Sequence, residues 1–367
     1  MTDDKPTRRE FLRGRRNEAL IAGDVDSDNL DRNVAPSAGD DPTNAPYLLK
    51  IGRRAMACQF QIMVNAGKYE TATETAIEAL DRVDQLEQLL TVYHDDSEVS
   101  QLNRLATGDY SFVSPELADL LRLSLRLNKI TDGAFDITAG PLAEVWAEAR
   151  HESALPGETE IKQALQRLGC QHLAFDEQEE TVKFLRSGIA LDFGGIGKGY
   201  ALDDGASILE AGGLMDFLFH GGRSSVLARG KCTDASVGES AWRVGVIHPL
   251  RPSQRLAEVQ LENCALSTSG SQTQSFTFGG RRFGHVLDPR TGWPAEGVLS
   301  VTVVAPTAAE ADALSTALFV LGVDRGIEVC EQYPEFGAIF VAPGGRAGEI
   351  KIFSCNLTDQ NFRVLSE

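Results

Sequence analysis

The 367-residue sequence is poor in aromatic side chains, in clustered cysteines and in positive charge. Its six cysteines lie far apart and include no Cys-x-x-Cys pair, which argues against a zinc site and against a dense disulfide framework. The net charge of −18 argues against general nucleic-acid binding and against adhesion to anionic lipid. An anionic substrate would therefore need a local cation or a metal ion in its pocket.

Long apolar runs are also missing from the sequence. No stretch approaches the roughly 18 apolar residues of a membrane-spanning helix, so we expect no transmembrane segment. The hydrophobic content of 42% is still enough to bury one large core or two modest cores. The composition is that of an ordinary globular protein.

The N-terminal residues contain an incomplete targeting pattern. Residues 7–13, TRREFLR, resemble a twin-arginine export signal, but charged residues follow and the apolar run is limited to residues 19–22, ALIA. A working signal has an apolar stretch of roughly 7–15 residues. We therefore predict a cytoplasmic protein, with periplasmic export by the twin-arginine route as the alternative. Residues 23–46 are acidic and rich in Pro, Gly and Asn, which predicts a disordered segment over 1–46 and a folded domain over 47–367.

Apolar periodicity predicts both strands and helices. Residues 58–64 alternate in the manner of a strand with one buried face. Apolar residues spaced by three and four predict helices over about 69–90, 114–128, 158–168 and 308–321. Short strands are predicted at about 172–176, 181–185, 217–219, 225–229, 242–247, 300–305, 337–341 and 349–353. Because these elements are interspersed without a regular βαβ period, we predict an α+β fold: a single catalytic unit of mixed sheets with flanking helices.

The first candidate site is the glycine-rich block at residues 192–200, DFGGIGKGY. It lacks the first glycine and the Ser/Thr of a nucleoside-triphosphatase loop, and it lacks the acidic ribose partner of a dinucleotide fold. We predict a strand over 188–193 that enters a helix over 199–209 through a turn, whose amides and Lys198 receive phosphate oxygens. A tight strand-to-helix turn without a ligand is the alternative.

A second block places a carboxylate and a hydroxyl one helical turn apart, at Asp312 and Thr316. Oxygen donors at this spacing suit a hard divalent cation. In the structural alternative, Asp312 favours the helix N-terminus and Thr316 bonds back to the helix backbone. A third block, DPRTG at residues 288–292, is by itself an ordinary turn. His220 and His285 each adjoin a glycine, which allows a ligand to approach closely.

Together these blocks resemble the FAD:protein FMN transferases, the ApbE-like flavin transferases. The resemblance extends in order over roughly residues 51–357. Further motifs that carry it are LTVY at 90–93, GAFDIT at 133–138 and TSG at 268–270. Two segments depart from the family pattern. Met-Ala-Cys at 56–58 replaces Met-Gly-Thr, and FHGGRSS at 219–225 differs from the usual approach to the glycine pair.

The resemblance implies Mg²⁺-dependent transfer of FMN from FAD to a threonine hydroxyl of an acceptor flavoprotein, with release of AMP. A respiratory-type subunit is the acceptor expected from the family, and no nucleic-acid partner is expected. Mg²⁺ would be held by the Gly195 carbonyl, Asp312 and Thr316, all oxygen donors. The residues implied as FAD contacts are Met56, Tyr93, Ala134, Phe135, Asp136, Asp192, Lys198, Leu287 and Ser315.

The resemblance also implies catalytic roles. Lys198, together with the metal held by Asp312, would neutralise charge on the pyrophosphate while its bridging bond breaks. His285 is the candidate for taking the proton of the incoming threonine. Two other functions stay open at this point: Mg²⁺-dependent hydrolysis of FAD to FMN and AMP, and flavin binding without catalysis.

Overall fold

The computed structural model describes residues 47–365 apart from 106–107, 223, 235–237, 272–274 and 347. The segment 1–46, with its twin-arginine-like motif and its predicted disorder, lies outside the described residues. Within the described part the α+β class is confirmed. The α-helices of that part are α1 (Ala72–Leu90), α2 (Glu98–Leu105), α3 (Pro115–Ile130), α4 (Gly140–His151), α5 (Glu158–Leu165), α6 (Gly197–Ala211) and α7 (Ala308–Gln332). None of these helices combines the length with the apolar character that crossing a bilayer requires.

The β-strands are short and spread along the whole described chain. The strands are β1 (Leu48–Ala55), β2 (Cys58–Asn65), β3 (Ser111–Phe112), β4 (Leu173–Asp176), β5 (Thr181–Phe184), β6 (Phe217–Gly221), β7 (Ser225–Arg229), β8 (Cys232–Asp234), β9 (Gly238–Ser240), β10 (Trp242–His248), β11 (Arg251–Leu261), β12 (Cys264–Gly270), β13 (Ser275–Phe278), β14 (Arg281–Gly284), β15 (Ser300–Ala305), β16 (Gly337–Pro343), β17 (Ile350–Cys355) and β18 (Phe362–Val364). Most of the predicted strands are present within two residues of their predicted ends.

The largest sheet, called the central sheet below, has eight strands in the order β1-β2-β6-β7-β12-β15-β16-β17. A second sheet has the order β10-β11-β18, a small third sheet has the order β3-β5-β4, and β8-β9 and β13-β14 form hairpins. The strand pairs in the described residues are antiparallel, and parallel pairing there is limited to an isolated bridge between Ala139 and Ala190. These antiparallel sheets differ from the mixed sheets that the sequence predicts, while the α+β class holds.

The central sheet separates two hydrophobic layers. Side chains alternate between the faces of a strand, and on β2 this places Phe60 and Ile62 against the helices but Met63 against the second sheet. Helices α1, α6 and α7 cover the first face, and β10, β11 and β18 cover the other. The polar residues of the candidate site lie on the helix-covered face.

A smaller apolar cluster fixes the turn at residues 288–292. Trp146 on α4 packs with Ile161 of α5 and Phe283 of β14. Its indole N–H donates to the Gly292 carbonyl at 2.8 Å. The Gly292 amide in turn donates to the Asp288 carbonyl at 2.8 Å, so the DPRTG block is a turn anchored by a buried tryptophan.

Two local predictions in and before the glycine-rich block are corrected. The predicted strand over 188–193 is wrong: the side chain of Asn103 takes the place of a neighbouring strand, bonding both backbone groups of Leu191 at 2.7 and 3.0 Å. The following helix begins at Gly197, two residues earlier than predicted. The predicted end of the helix over 308–321 at Gly322 is confirmed: Gly322 has the non-helical φ of 75°, and a second helical stretch continues from it to Gln332 within the span of α7.

Candidate active site

Helices α6 and α7 cross in very close contact at Gly199. A Cβ on Gly199 would lie 2.1 Å from the Ala308 carbonyl oxygen, so only glycine permits this approach. Asp203, one turn further along α6, accepts hydrogen bonds from the amides of Ala308 and Ala309, each at 2.8 Å. It thereby supplies partners for two of the backbone N–H groups that have none within the first turn of α7. Burial raises the pKa of Asp203 to about 6. The crossing brings the first turn of α6 to Asp312.

The carboxylate of Asp312 lies at the centre of this contact and is only 4% exposed. Its Oδ2 accepts hydrogen bonds from the Lys198 ammonium and from the Gly199 amide, both at 3.2 Å. Its Oδ1 accepts hydrogen bonds from the hydroxyls of Ser225 on β7 and Ser267 on β12, both at 3.1 Å. Burying a carboxylate is costly unless it has partners. Four donors from two strands and a helix offset that cost here.

Thr316 lies one turn after Asp312 on α7, as the spacing predicts. Its hydroxyl is 3.4 Å from the Asp312 carbonyl oxygen and 3.2 Å from the Ser269 hydroxyl. Gly195 approaches from the loop before α6, since a Cβ built on it would lie 3.8 Å from Thr316 Oγ1. Thr316 thus connects Gly195 with Asp312. Ser315 is fully buried and donates to the Asp312 carbonyl at 2.9 Å, so its hydroxyl supports the backbone of this turn.

The donor chemistry of this group of residues is that of a hard-cation site. Among the described residues, no group of three or more His, Cys, Asp or Glu side chains is arranged to hold a metal ion. The set formed by Gly195, Asp312 and Thr316 is of another kind, because it combines one carboxylate with a hydroxyl and a backbone carbonyl. Mg²⁺ commonly takes one or two carboxylates and completes its shell with water and phosphate oxygens. The residues therefore fit Mg²⁺ in donor type.

Residues 134–136 form a loop that lies against the glycine-rich block. The ring of Phe135 lies beside Gly195, whose added Cβ would be 3.4 Å away. The amide of Asp192 donates to the Ile137 carbonyl at 2.7 Å, which joins the two segments. The predicted FAD contacts at 134–136 and at Asp192 are thus brought together.

Both carboxylates of these segments stabilise turns. Asp136 accepts a hydrogen bond from the Thr138 amide at 2.8 Å, and Asp192 accepts one from the Gly194 amide at 2.8 Å. Such bonds to an amide two residues further on are typical of Asx turns. Each aspartate therefore has a local structural role, whatever its contact with a ligand.

The turn between β1 and β2 carries Met56 and Ala57 in the left-handed region, with φ of 47° and 59°. Glycine adopts this conformation without strain and alanine does not, so Met-Ala-Cys fits the turn less well than Met-Gly-Thr. Cys58 opens β2, and its Sγ would be 3.4 Å from a Cβ on Gly222. Burial raises the pKa of the Cys58 thiol to about 11, although the Lys198 ammonium nearby acts in the opposite direction. The thiol is therefore protonated at neutral pH.

Tyr93, Leu287 and His285 lie outside the named helices and strands, and Leu287 packs against the cluster around Trp146. Tyr93 follows α1 and is 61% exposed. Leu287 is half-buried and His285, also half-buried, directly follows β14. Gly284 packs beside Ser271, where an added Cβ would lie 3.7 Å from the serine Cβ. His285 therefore lies near the end of β12, the strand that carries Ser267.

His220 belongs to the opposite face of the central sheet. It follows Phe219, which packs in the helix-side core, and shares the face of Leu218, which packs against the second sheet. Its Nδ1 is 3.0 Å from the Gly222 carbonyl, whereas its buried Nε2 has no hydrogen-bond partner in the described structure. Burial lowers the pKa of His220 to about 4. The imidazole is therefore neutral near pH 7 and points away from Asp312.

Three polar residues of the site received no role from the sequence: the half-buried Asp203 and the fully buried Ser225 and Ser267. The two serines occupy helix-facing positions next to apolar residues, in Ser-Val-Leu-Ala on β7 and Ala-Leu-Ser on β12. A hydroxyl at such a position needs a hydrogen-bond partner. This pattern was available in the sequence, but the partner was not.

Comparison with known proteins gives one consistent family. The model of the ApbE family matches residues 56–340, which include all of the candidate site residues. The curated FAD:protein FMN transferase of Escherichia coli K12 is 35% identical over 256 residues, covering 68% of this chain and 71% of the relative. That of Salmonella typhimurium is 31% identical over 299 residues, covering 80% of this chain and 84% of the relative.

Solved structures agree with the sequence relatives. The ApbE protein of Thermotoga maritima superposes with a TM-score of 0.73 at 29% identity, covering 83% of this chain and 96% of the other. The apo flavinyl transferase ApbE of Pseudomonas stutzeri gives a TM-score of 0.73 at 28% identity, covering 84% and 94%. The likeness therefore covers nearly the whole of each solved chain.

Proposed function

The chain belongs to the ApbE family and is an enzyme of the FAD:protein FMN transferase type, and we propose that it uses Mg²⁺ to transfer FMN from FAD to a threonine hydroxyl of an acceptor flavoprotein, with release of AMP. One observation carries the proposal. Lys198 and Asp312 meet at 3.2 Å where α6 crosses α7, and Gly195 and Thr316 adjoin this pair. A cation and a set of hard oxygen donors thus lie together, as a pyrophosphate substrate requires.

Lys198 is the residue best placed to receive phosphate oxygens. Its side chain is 24% exposed, whereas that of its partner Asp312 is 6% exposed. The ammonium is therefore held by a buried carboxylate on one side and open to a ligand on the other. In a protein of net charge −18, such a local cation offsets the charge of an incoming dianion.

We propose that Gly195, through its carbonyl, Asp312 and Thr316 hold Mg²⁺. When bound, the ion would supply Lewis-acid stabilisation of charge on the pyrophosphate oxygens. Asp312 contributes the only formal charge of this set. Its position is fixed by the buried hydrogen bonds to Oδ1, so it keeps one geometry when a substrate enters.

The flavin half of FAD would lie between separate loops. We propose contacts with Met56 in the β1–β2 turn, with residues 134–136, with Leu287 and with the exposed ring of Tyr93. Tyr93 is suited to stacking because aromatic faces pack favourably on one another. Asp192 completes this wall next to Phe135 and Gly195, while Ser315 would act through the turn that it supports.

In the transfer step, the threonine oxygen attacks the phosphorus on the FMN side of the pyrophosphate. A new oxygen–phosphorus bond forms, the bond from that phosphorus to the bridging oxygen breaks, and AMP leaves with the bridging oxygen. We propose that His285 takes the threonine proton. Lys198 holds the negative charge that develops on the departing phosphate.

The experiment that tests this function follows both products. The protein is incubated with FAD, Mg²⁺ and a flavoprotein subunit that contains a target threonine; AMP is quantified and the subunit is weighed by mass spectrometry. We expect equal amounts of AMP and of FMN-modified subunit, and neither product from a subunit in which that threonine is alanine. AMP with free FMN alone would show hydrolysis, and FAD binding with no AMP would show a flavin carrier.

His285 is tested separately from substrate binding. We expect His285→Ala to slow transfer by about 10²–10⁴-fold while FAD affinity, measured by flavin fluorescence, stays nearly unchanged. His151→Ala, at an exposed histidine on α4, is the control and should transfer normally. Normal turnover of His285→Ala would remove His285 from the catalytic residues.

A further inference from the structure

Two serines that no sequence motif singled out bind the same carboxylate oxygen. Ser225 and Ser267 are direct partners across β7 and β12, and both are fully buried. Each hydroxyl is 3.1 Å from Asp312 Oδ1, and the two hydroxyl oxygens are 3.2 Å apart. The pair therefore forms a small polar platform on the helix-facing side of the central sheet.

The number of hydroxyl protons determines the direction of the hydrogen bonds in this platform. A serine hydroxyl has one proton to donate and two lone pairs to accept. The Ser224 hydroxyl, 3.3 Å from Ser225 Oγ, can fill one of those lone pairs, which leaves the Ser225 proton for Asp312. With both serine protons directed at Oδ1, this oxygen is engaged by the sheet.

The other oxygen of the carboxylate faces a different environment. Oδ2 accepts from the Gly199 amide and, at 3.2 Å, from the partly exposed Lys198 ammonium, which also lies 3.4 Å from Oδ1. Lys198 is thus closer to Oδ2, while the two serines contact Oδ1 alone, so Oδ2 is the oxygen on the Lys198 side of the carboxylate. Because Oδ1 is fixed by two neutral donors, the carboxylate cannot rotate to exchange its oxygens without breaking two buried hydrogen bonds.

We propose that Ser225 and Ser267 are positioning residues that orient Asp312 so that Oδ2 is the oxygen offered to the divalent cation. This inference rests on the proposed function, because it assigns how one ligand of that site is held. Both serines are fully buried and would act through Asp312. Groups that orient a metal ligand typically contribute about 10–100-fold to metal affinity. The effect should appear in ion binding and should largely disappear from turnover when the ion is saturating.

The test measures ion binding in the absence of turnover. Ser225→Ala, Ser267→Ala and the double variant are titrated with Mn²⁺ by calorimetry in the presence of FAD and without acceptor, and AMP release with acceptor is then followed against Mg²⁺ concentration. We expect each single variant to bind Mn²⁺ several-fold more weakly and the double variant about 10–100-fold more weakly. The Mg²⁺ concentration for half-maximal rate should rise in parallel, with the maximal rate nearly restored.

A matched control lies on the same strand. Thr268 follows Ser267 on β12, faces the second sheet and shares a 2.8 Å hydroxyl contact with Thr302. Thr268→Val removes a hydroxyl from the same sheet without touching Asp312, so it should change thermal stability and leave Mn²⁺ affinity unchanged. Ser225→Cys keeps the volume with a weaker donor, and it serves if an alanine variant does not fold.

Two outcomes would overturn the proposal, and they differ from each other. If the serine variants lose thermal stability but bind Mn²⁺ as the wild type does, the serines only support packing, while the proposed transferase function stands. If the wild-type protein itself binds no divalent ion with FAD, the metal role of Asp312 fails, and the positioning role fails with it.

Discussion

The two faces of the central sheet handle buried polar groups in different ways. On the helix-covered face, Ser225, Ser267 and Ser269 all have hydrogen-bond partners, and the first two hold Asp312. On the face covered by β10, β11 and β18, neighbouring positions of the same strands are filled mainly by apolar side chains. Two buried polar atoms of the central sheet lack a partner in the described structure, His220 Nε2 on β6 and Ser300 Oγ on β15, and both side chains lie on this face by strand alternation.

The comparison shows where this fold places its charge. Asp312 is buried with four donors, among them a lysine, so a charged group is kept inside the protein next to the candidate ligand site. His220 is buried with one partner, and its burial favours the neutral form. A charge buried on a sheet face that only packs against apolar groups would be destabilising, whereas a face that holds a cation requires a negative charge.

The largest effect is expected from removing the negative charge of Asp312 on the helix-covered face. We expect Asp312→Asn to lower FMN transfer by at least about 10³-fold, because several kcal/mol of charge stabilisation at the pyrophosphate depend on this carboxylate. The rate of AMP release at saturating FAD and Mg²⁺ measures it. Glu310→Gln, at a neighbouring buried acid of α7 that pairs with Arg126, is the control and should retain transfer. Wild-type turnover of Asp312→Asn would contradict the assignment.

The next largest effect concerns the helix crossing that presents Asp312. Gly199→Ala would place Cβ 2.1 Å from the Ala308 carbonyl oxygen, so α6 and α7 must separate. We expect the free energy of unfolding to fall by about 3 kcal/mol, at the upper end for overpacking, as measured by denaturant titration. Gly197→Ala is the matched control on α6, because its Cβ would be 3.8 Å from Leu90, and it should change stability by no more than about 1 kcal/mol. Equal stability of the two variants would refute the tight crossing.

The third prediction concerns the pH dependence of stability that His220 causes on the face covered by β10, β11 and β18. Burial lowers the pKa of His220 to about 4 in the folded protein, whereas a histidine in the unfolded chain has a pKa of about 6.5. Between these two pH values the unfolded chain binds a proton at His220 and the folded protein does not. Stability should therefore fall as pH decreases from about 6.5 to about 4, by up to roughly 3 kcal/mol from this residue. In His220→Gln this loss should be absent, so the wild-type minus variant difference should slope across that window. His94→Gln, at an exposed histidine, is the control. Parallel pH profiles would mean that His220 does not titrate as inferred.

The smallest effect concerns the β1–β2 turn at the edge of the central sheet. Ala57 has φ of 59° in the β1–β2 turn, so Ala57→Gly should raise the free energy of unfolding by about 1 kcal/mol by relieving a left-handed alanine. Ala55→Gly, in the extended strand just before the turn, should instead lower it by about 0.5–1 kcal/mol. Thermal unfolding of both variants checks the opposite signs. A destabilised Ala57→Gly would show that this turn is unstrained.

Local patterns in the sequence predicted the helices and strands that depend only on residues close to one another in the chain. The alternation over residues 58–64 became β2, and the amphipathic run predicted at 69–90 became α1, because periods of two and of 3.6 are properties of single elements. The sequence did not predict β11, in which Leu256–Val259 are buried consecutively, without the alternation of a strand that has one covered face. The wrong strand at 188–193 failed for a related reason, because a distant side chain, Asn103, supplies the bonds that a strand partner would give.

The sequence by itself determined the donor types of the candidate site and the order in which they occur. It placed Thr316 one helical turn from Asp312, since helical spacing needs no partner. Only the tertiary structure decided which groups hold Asp312: Ser225 and Ser267 are 87 and 45 residues away along the chain, and Gly199 is 113 away. A hydrogen bond acts over about 3 Å, and a shift of one residue in the register of β7 or of β12 would turn the serine of that strand to the other face. The site therefore depends on sheet register and helix crossing, which arise only when the whole chain has packed.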